Sequence, residues 1–214
     1  MTRARLNAAR DELQEELLRR GGMVEVAITM AVDSLARQDL SLAQLIIDGD
    51  DQIDALNLKI EEDCIYLIAL QQPLAKDLRE ITSILKIVTD LERIADHATN
   101  IAEITLRIGS EPLIKPLVDL PRMAELAQEM VRNSLQSLVE RDQELAKENC
   151  RRDDQIDRLY LSIFNEVTEY ILARPDDRQV VQALNLLFVA RYLERVGDHA
   201  TNIGERVIYL VSGK

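Results

Sequence analysis

The stretch Asp90–Glu103, DLERIADHATNIAE, returns 102 positions later as Tyr192–Glu205, YLERVGDHATNIGE. Ten of the fourteen positions are identical, which is not expected by chance in a chain of 214 residues. A second motif, DDQID, occurs unchanged at 50–54 and at 153–157. The chain is therefore a tandem duplication, and the repeated polar residues need a physical explanation.

Apolar residues around both motifs recur at the spacing of long amphipathic helices. The pattern predicts helices at 2–37, 42–71 and 75–108 in the first half, and at 122–140, 143–173 and 177–211 in the second. Gly21 and Gly22 are expected to bend the first helix or to end a first segment. Ser41 and Gln44 have the spacing of a capping box at the start of the second helix. In the first and fourth helices, identical residues lie 100 positions apart, for example Met23/Met123, Glu25/Glu125 and Ser34/Ser134.

The prolines indicate where the two copies separate. Three of the five lie within GSEPLIKPLVDLP at 109–121, and the other two, Pro73 and Pro175, occupy equivalent turns. Three antiparallel helices with short turns form a bundle. We therefore predict an all-α fold of two tandem three-helix bundles related by an approximate twofold axis. The first bundle spans 1–110, a proline-rich linker spans 111–121, and the second bundle spans 122–214.

Composition excludes several classes of protein. Hydrophobic residues make up 47% of the chain and aromatic residues only 3%, so the core must be aliphatic. The net charge of −12 argues against nucleic acid or an anionic membrane as a partner, and suits a cation or a basic protein surface. Cys64 and Cys150 form no disulfide or zinc-ribbon pattern, which favours the cytoplasm. No signal peptide or membrane-spanning run is found, so no membrane insertion is expected.

The repeated acidic residues are predicted to meet at one level of each bundle. At about 1.5 Å of rise per helical residue, Asp50 and Asp54 lie as far before the turn at 72–73 as Glu92 and Asp96 lie after it. The same count through the preceding turn brings Glu25 to this level. In the second copy the corresponding carboxylates are Glu125, Asp153, Asp157, Glu194 and Asp198.

Closely packed carboxylates raise one another's pKa or bind a cation. Oxygen ligands suit hard ions such as Mg²⁺, Ca²⁺, Mn²⁺ or oxidised iron, while zinc is less favoured without cysteine. The alternative is a solvated or salt-bridged face, with Arg93 and Arg195 as partners. His97 and His199 are expected to pack or cap. The polar stripe also carries Asn100, Asn202, Glu103 and Glu205 as further candidates for the metal site.

LERIADHATNIAE, LERVGDHATNIGE, GGMVE at 21–25 and the paired DDQID segments together resemble the PhoU family of phosphate-transport accessory regulators. The resemblance covers essentially the whole chain. It implies two similar bundles with multinuclear metal sites, in a cytoplasmic protein, often a homodimer, that restrains the phosphate-starvation response. It implies two partners, the ATPase subunit of the phosphate ABC transporter and the phosphate-sensing histidine kinase. The implied metal-site residues are Asp50, Asp54, Glu92 and Asp96 in copy one, and Asp153, Asp157, Glu194 and Asp198 in copy two.

The two copies are not identical around the acidic motifs. Asp90, Asn57 and Glu61 of the first copy become Tyr192, Tyr160 and Phe164 in the second. We therefore expect fewer oxygen atoms around the second site than around the first.

Three functions are compatible with these observations. The first is a regulatory adaptor without catalysis, since no P-loop, nucleotide-binding glycine loop or nucleophile triad occurs. The second is a metalloenzyme or metal-storage bundle built on the clustered carboxylates. The third is a structural adaptor in which the acidic residues are salt-bridged.

Overall fold

The computed structural model describes residues 3–213, and side chains from residue 8 onward, so Thr2, the predicted start of the first helix, lies outside the described part. Seven helices occur in this order: α1 (Arg3–Arg37), α2 (Leu40–Gln71), α3 (Ala75–Ile108), α4 (Asp119–Glu140), α5 (Gln143–Arg151), α6 (Asp153–Leu172) and α7 (Asp177–Ser212). The described residues contain no strand, and none of their helices is long and apolar enough to cross a membrane.

The helices form two units, each of which consists of three packed helical layers. The two units share one apolar core. In the first unit α1, α2 and α3 pack against one another, and in the second α4, the α5–α6 pair and α7 do the same. The two units meet where α3 packs against α7 and α1 packs against α4. Buried aliphatic side chains from all seven helices form a single cluster. The predicted all-α tandem fold is confirmed.

The middle helix of the second unit is divided, whereas the sequence predicted one helix over 143–173. The break lies at Arg152, whose backbone N–H donates to the carbonyl of Asn149 and whose carbonyl accepts from Gln155. These bonds span three residues, as in a 3₁₀ turn, and tighten the backbone. The Asn149 side chain also donates to the Met130 carbonyl and to Ser134 on α4. The equivalent helix α2 continues without interruption.

Two helix starts differ from prediction. Helix α2 begins at Leu40 and not at residue 42, because Asp39 is the N-cap and accepts from the backbone N–H of Leu42. The predicted Ser41–Gln44 capping box is therefore wrong. Helix α4 begins at Asp119 and not at 122, with Pro121 in its first turn, where a proline is tolerated. The connection between the units is accordingly residues 109–118.

Gly21 and Gly22 neither bend the chain into two segments nor end a helix, because α1 runs unbroken through both. Gly21 faces α4, where an added Cβ would lie 2.1 Å from Leu135 Cδ1. Nothing lies within 4 Å of a Cβ added at Gly22. Gly21 therefore permits the close approach of α1 and α4, which join the two units.

Structurally equivalent residues of α1 and α4 lie 103 positions apart, and not the 100 positions that the identical residues suggested. The N-caps Asp39 and Asp142 follow α1 and α4 in the same way. Ser34 donates to the Ala31 carbonyl as Ser137 donates to the Ser134 carbonyl. The identities Met23/Met123 and Glu25/Glu125 therefore do not mark equivalent positions.

Candidate metal centre

The first carboxylate cluster comprises Asp50 and Asp54 on α2 with Glu92 and Asp96 on α3. Burial raises the pKa of Asp50, and the charges of Asp54 and Asp96 raise it further, while a hydrogen bond with Thr99 opposes them. Oδ1 of Asp50 is buried without a hydrogen-bond partner. Asp96 of α3 thus lies near enough to Asp50 of α2 for its charge to act there.

Neighbouring side chains already hold part of this cluster. Asn57 donates to Glu92 Oε2 at 3.0 Å, which fixes the glutamate from α2. Arg93 pairs with Asp96 at 3.2 Å on the exposed side of α3. The salt-bridged arrangement considered as an alternative therefore applies to Asp96, although both partners remain partly exposed and such pairs contribute little stability.

The second carboxylate cluster comprises Asp153 and Asp157 on α6 with Glu194 and Asp198 on α7. The pKa of Asp153 is raised to about 6, chiefly by burial and then by the charges of Asp157, Asp198 and Glu194 in that order. Burial also raises the pKa values of Asp157 and Glu194. Arg191 forms an ion pair with Glu194 and so opposes the shift there.

The close fit of α7 against α6 explains the burial of Asp153. A Cβ added at Gly197 would lie 2.9 Å from Asp153 Oδ1 and 2.9 Å from Ile156 Cδ1. Oδ1 of Asp153, like that of Asp50, is buried without a hydrogen-bond partner. Gly197 therefore permits the close contact between α7 and α6.

The chemistry of both clusters fits a hard cation. Each cluster places a buried carboxylate oxygen without a partner among further acidic side chains, and a cation would relieve this arrangement. Among the described residues, no group of three or more His, Cys, Asp or Glu side chains is placed so that it could hold a metal ion as it stands.

Glu25 does not join the first cluster, contrary to the prediction that five carboxylates meet at one level. It lies on α1 at the junction of the two units and pairs with Arg132 of α4 at 2.9 Å. Its supposed counterpart Glu125 is exposed on α4 and is three residues out of the structural register. The pairing of α1 with α4, which the sequence could not reveal, accounts for both differences.

The remaining candidates have other partners. Asn100 donates to the backbone carbonyl of Asp96, within its own helix. Asn202 donates to Asp90 of the first unit at 3.2 Å. Glu103 and Glu205 are exposed. These hydrogen bonds direct both asparagine side chains to groups other than the carboxylates of the two clusters.

The two histidines of the repeated motif meet where α3 packs against α7. His97 is buried and its ring stacks on Tyr192 with centroids 5.6 Å apart, which confirms its predicted packing role. The pKa of His97 is lowered to about 4, chiefly by burial and then by the nearby His199. Nδ1 of His199 lies 3.0 Å from Asp90. Asp90 therefore serves the contact between units, so its replacement by Tyr192 removes no oxygen from the second cluster.

Arg20 is the residue near the first cluster that sequence reasoning missed. Its side chain is fully buried, and Nη1 donates to the carbonyl of Ile53, next to Asp54. A charged residue at an inward position of an amphipathic helix was the signal that could have found it.

Two segments of the chain match one known protein family. The family model described as the PhoU domain matches the chain twice, at residues 17–105 and 120–207. This chain belongs to the PhoU family. The two matches cover the two structural units, so the duplication seen in the sequence is a duplication of the PhoU domain.

Relatives in the PhoU family are similar over nearly their whole length. The PhoU homologue of Clostridium acetobutylicum, named a phosphate-specific transport system accessory protein, is 43% identical over 100% of this chain and 97% of its own. A homologue of the same name from Aquifex aeolicus is also 43% identical, over 95% of this chain and 91% of its own.

Two crystal structures have the same fold. PhoU from Pseudomonas aeruginosa has a TM-score of 0.92 at 37% identity, with 97% of this chain and 99% of that chain covered. The phosphate transport system regulatory protein PhoU from Streptococcus pneumoniae has a TM-score of 0.90 at 29% identity, with 98% of each chain covered.

Proposed function

We propose that this protein is a regulatory adaptor of phosphate homeostasis. It modulates uptake by a phosphate ABC transporter and represses the phosphate-starvation response. The observation that carries this proposal is the full-length similarity to relatives named phosphate-specific transport system accessory proteins. Its partners are the ATPase subunit of the transporter and the phosphate-sensing histidine kinase, and its acting form is a cytoplasmic homodimer. The net charge of −12 favours basic partner surfaces.

The protein acts by binding and not by catalysis. Its relatives are named as accessory proteins, and its sequence carries neither a P-loop nor a nucleophile triad. Different conformations of the protein would have different affinities for the two partners. By changing which conformation is populated, phosphate supply would change which partner is bound.

Each carboxylate cluster holds one or more metal ions, of the type Mg²⁺, Mn²⁺, Ca²⁺, Zn²⁺ or iron. The first is held by Asp50, Asp54, Glu92 and Asp96, and the second by Asp153, Asp157, Glu194 and Asp198. The support is the buried, unpartnered oxygen in each cluster and the raised pKa values of Asp50 and Asp153. A bound ion would neutralise the acidic residues and tie α2 to α3 and α6 to α7.

The metal content of variants tests this part of the proposal. In protein saturated with the ion, Asp50→Ala with Asp54→Ala should remove about half of the bound metal, because the second cluster stays intact. The matched control is Asp51→Ala with Glu62→Ala, two exposed acidic residues of the same helix α2. Elemental analysis of purified protein measures the result. An unchanged stoichiometry in the first variant would contradict a metal site at these residues.

A gene deletion tests the regulatory role. Cells without the protein should express phosphate-starvation genes even in abundant phosphate, because the restraint on the kinase is lost, and the wild-type gene should silence a reporter of that response. The metal-site variant carrying Asp50→Asn, Asp54→Asn, Asp153→Asn and Asp157→Asn then shows whether the ions carry the signal. Starvation-gene expression and phosphate uptake equal to wild type in the deletion strain would overturn the proposal and favour a metalloenzyme or metal-storage role.

A further inference from the structure

Arg20 is a buried cation with incomplete pairing. Its side chain has no exposed surface, and one guanidinium nitrogen, Nη1, donates to the Ile53 carbonyl at 2.8 Å. Nε and Nη2 are buried without a hydrogen-bond partner. A buried guanidinium keeps its charge, because its pKa lies far above neutral pH, and an unpaired buried charge is costly. The surroundings of Arg20 must therefore supply compensating negative charge.

That compensation comes from the first carboxylate cluster. Burial lowers the pKa of Arg20, and the negative charges of Glu92, Asp54, Glu61 and Asp50 oppose this, in that order. The hydrogen bond to Ile53 places the guanidinium beside the stretch of α2 that carries both aspartates. Arg20 thus reaches from α1 to the buried side of the cluster.

The second cluster has a different arrangement. The structural register of 103 positions pairs Arg20 with Met123, which is buried and uncharged. The arginine of the second cluster is Arg191, which pairs with Glu194 from the same helix and is 41% exposed. An exposed arginine can turn into water when a cation arrives, whereas the fully buried Arg20 has no route to solvent.

We propose that Arg20 is a fixed internal counter-cation of the first carboxylate cluster that weakens divalent-cation binding there. The inference rests on the proposed metal binding and deepens it. Arg20 permanently supplies part of the positive charge that a bound ion supplies in the second cluster. The first cluster therefore depends less on an ion, and the second holds its ion without competition from a buried charge.

The test isolates each cluster and measures Mn²⁺ binding by isothermal titration calorimetry. Asp153→Asn with Asp157→Asn leaves only the first cluster, and Asp50→Asn with Asp54→Asn leaves only the second. Arg20→Met, the residue found at the equivalent position, should tighten Mn²⁺ binding at the isolated first cluster by about tenfold or more, because repulsion from a buried charge is weakly screened. It should leave the isolated second cluster unchanged.

Two further variants separate charge from shape. Arg20→Lys keeps a positive charge and should retain the weak binding of the parent, while Arg20→Gln is a second neutral variant should Arg20→Met fail to fold. Arg191→Thr, which places in α7 the residue that α3 has at Thr89, should change the second cluster by less than Arg20→Met changes the first. Thermal unfolding and circular dichroism verify that each variant is folded.

The outcomes distinguish this inference from the proposal on which it rests. Mn²⁺ binding at the isolated first cluster that Arg20→Met and Arg20→Gln leave unchanged would overturn the role of Arg20 alone. Equal tightening by Arg20→Lys would also overturn it, because the effect would then not follow the charge. Absence of Mn²⁺ binding in the wild-type protein would overturn the metal sites and this inference together.

Discussion

At the scale of single residues, Asp153 is an acidic side chain in surroundings that disfavour its negative charge. Its carboxylate is partly buried beside Gly197, one oxygen has no hydrogen-bond partner, and its pKa is raised to about 6, first by burial and then by Asp157. In the metal-free protein the folded state therefore binds a proton more readily than the unfolded state does. The stabilising contribution of this proton is present at low pH and is lost as the pH rises.

A pH series on the metal-free protein tests this. The free energy of unfolding should fall as the pH rises from about 4 to about 6, the interval between the ordinary pKa of an aspartate and that of Asp153. Asp153→Asn should flatten this dependence and raise the urea midpoint at pH 7, because an uncharged amide replaces a repelled carboxylate. Glu169→Gln, an exposed change on the same helix, is the control. An unaltered pH dependence in Asp153→Asn would contradict the assignment.

At the scale of helices, small residues determine how closely elements approach. Gly21 allows Leu135 of α4 to pack against α1, and Gly204 allows Cys150 of α5 to pack against α7, where an added Cβ would lie 2.8 Å from Sγ. The glycine next to Gly21, Gly22, faces open space. Of these two adjacent positions of α1, Gly21 thus has no room for a side chain, whereas Gly22 has room for one.

Alanine substitutions at these neighbours should change stability in opposite directions. Gly21→Ala should destabilise the protein by about 1–3 kcal/mol, because the new methyl group overpacks the contact with the buried Leu135. Gly22→Ala should stabilise it by about 0.5–1 kcal/mol, because alanine favours the helix and meets no neighbour. Urea unfolding of both variants under the same conditions measures the difference. Equal effects of the two substitutions would show that Gly21 is not needed for packing.

At the scale of the whole molecule, the two units are not independent. Their apolar side chains form one core, α3 packs against α7, and α1 packs against α4. Polar contacts also cross the junction, since Arg141 at the end of α4 pairs with Glu80 of α3 at 2.8 Å and Glu25 pairs with Arg132. Separating the units would expose the apolar faces that they share.

The chain should therefore unfold in a single cooperative transition. Differential scanning calorimetry of the metal-free protein should give equal calorimetric and van't Hoff enthalpies, because neither unit retains its buried faces without the other. The residue range 1–110 expressed alone should lack a cooperative transition. Two separate transitions in the whole chain, or cooperative unfolding of the isolated first unit, would contradict a shared core.

The sequence by itself determined the duplication and the helical class, because repeated motifs and apolar spacing are local patterns. The rise of a helix also converts residue counts into heights, which is how the sequence predicted that Asp50 and Asp54 lie level with Glu92 and Asp96. The break at Arg152 was not predicted, because it depends on the side chain of Asn149 binding Met130 and Ser134 across the bundle.

Only the tertiary structure decided which helix faces meet between the two units. Glu25 pairs with Arg132, Asp90 binds His199, and Arg20 lies behind the first cluster, because α1 packs against α4 and α3 against α7. A periodic pattern identifies which face of a helix is buried, but it does not identify which face of which other helix packs against it. Contacts between residues far apart in sequence depend on the packing of the whole molecule, and that packing assigns the partners of each polar group.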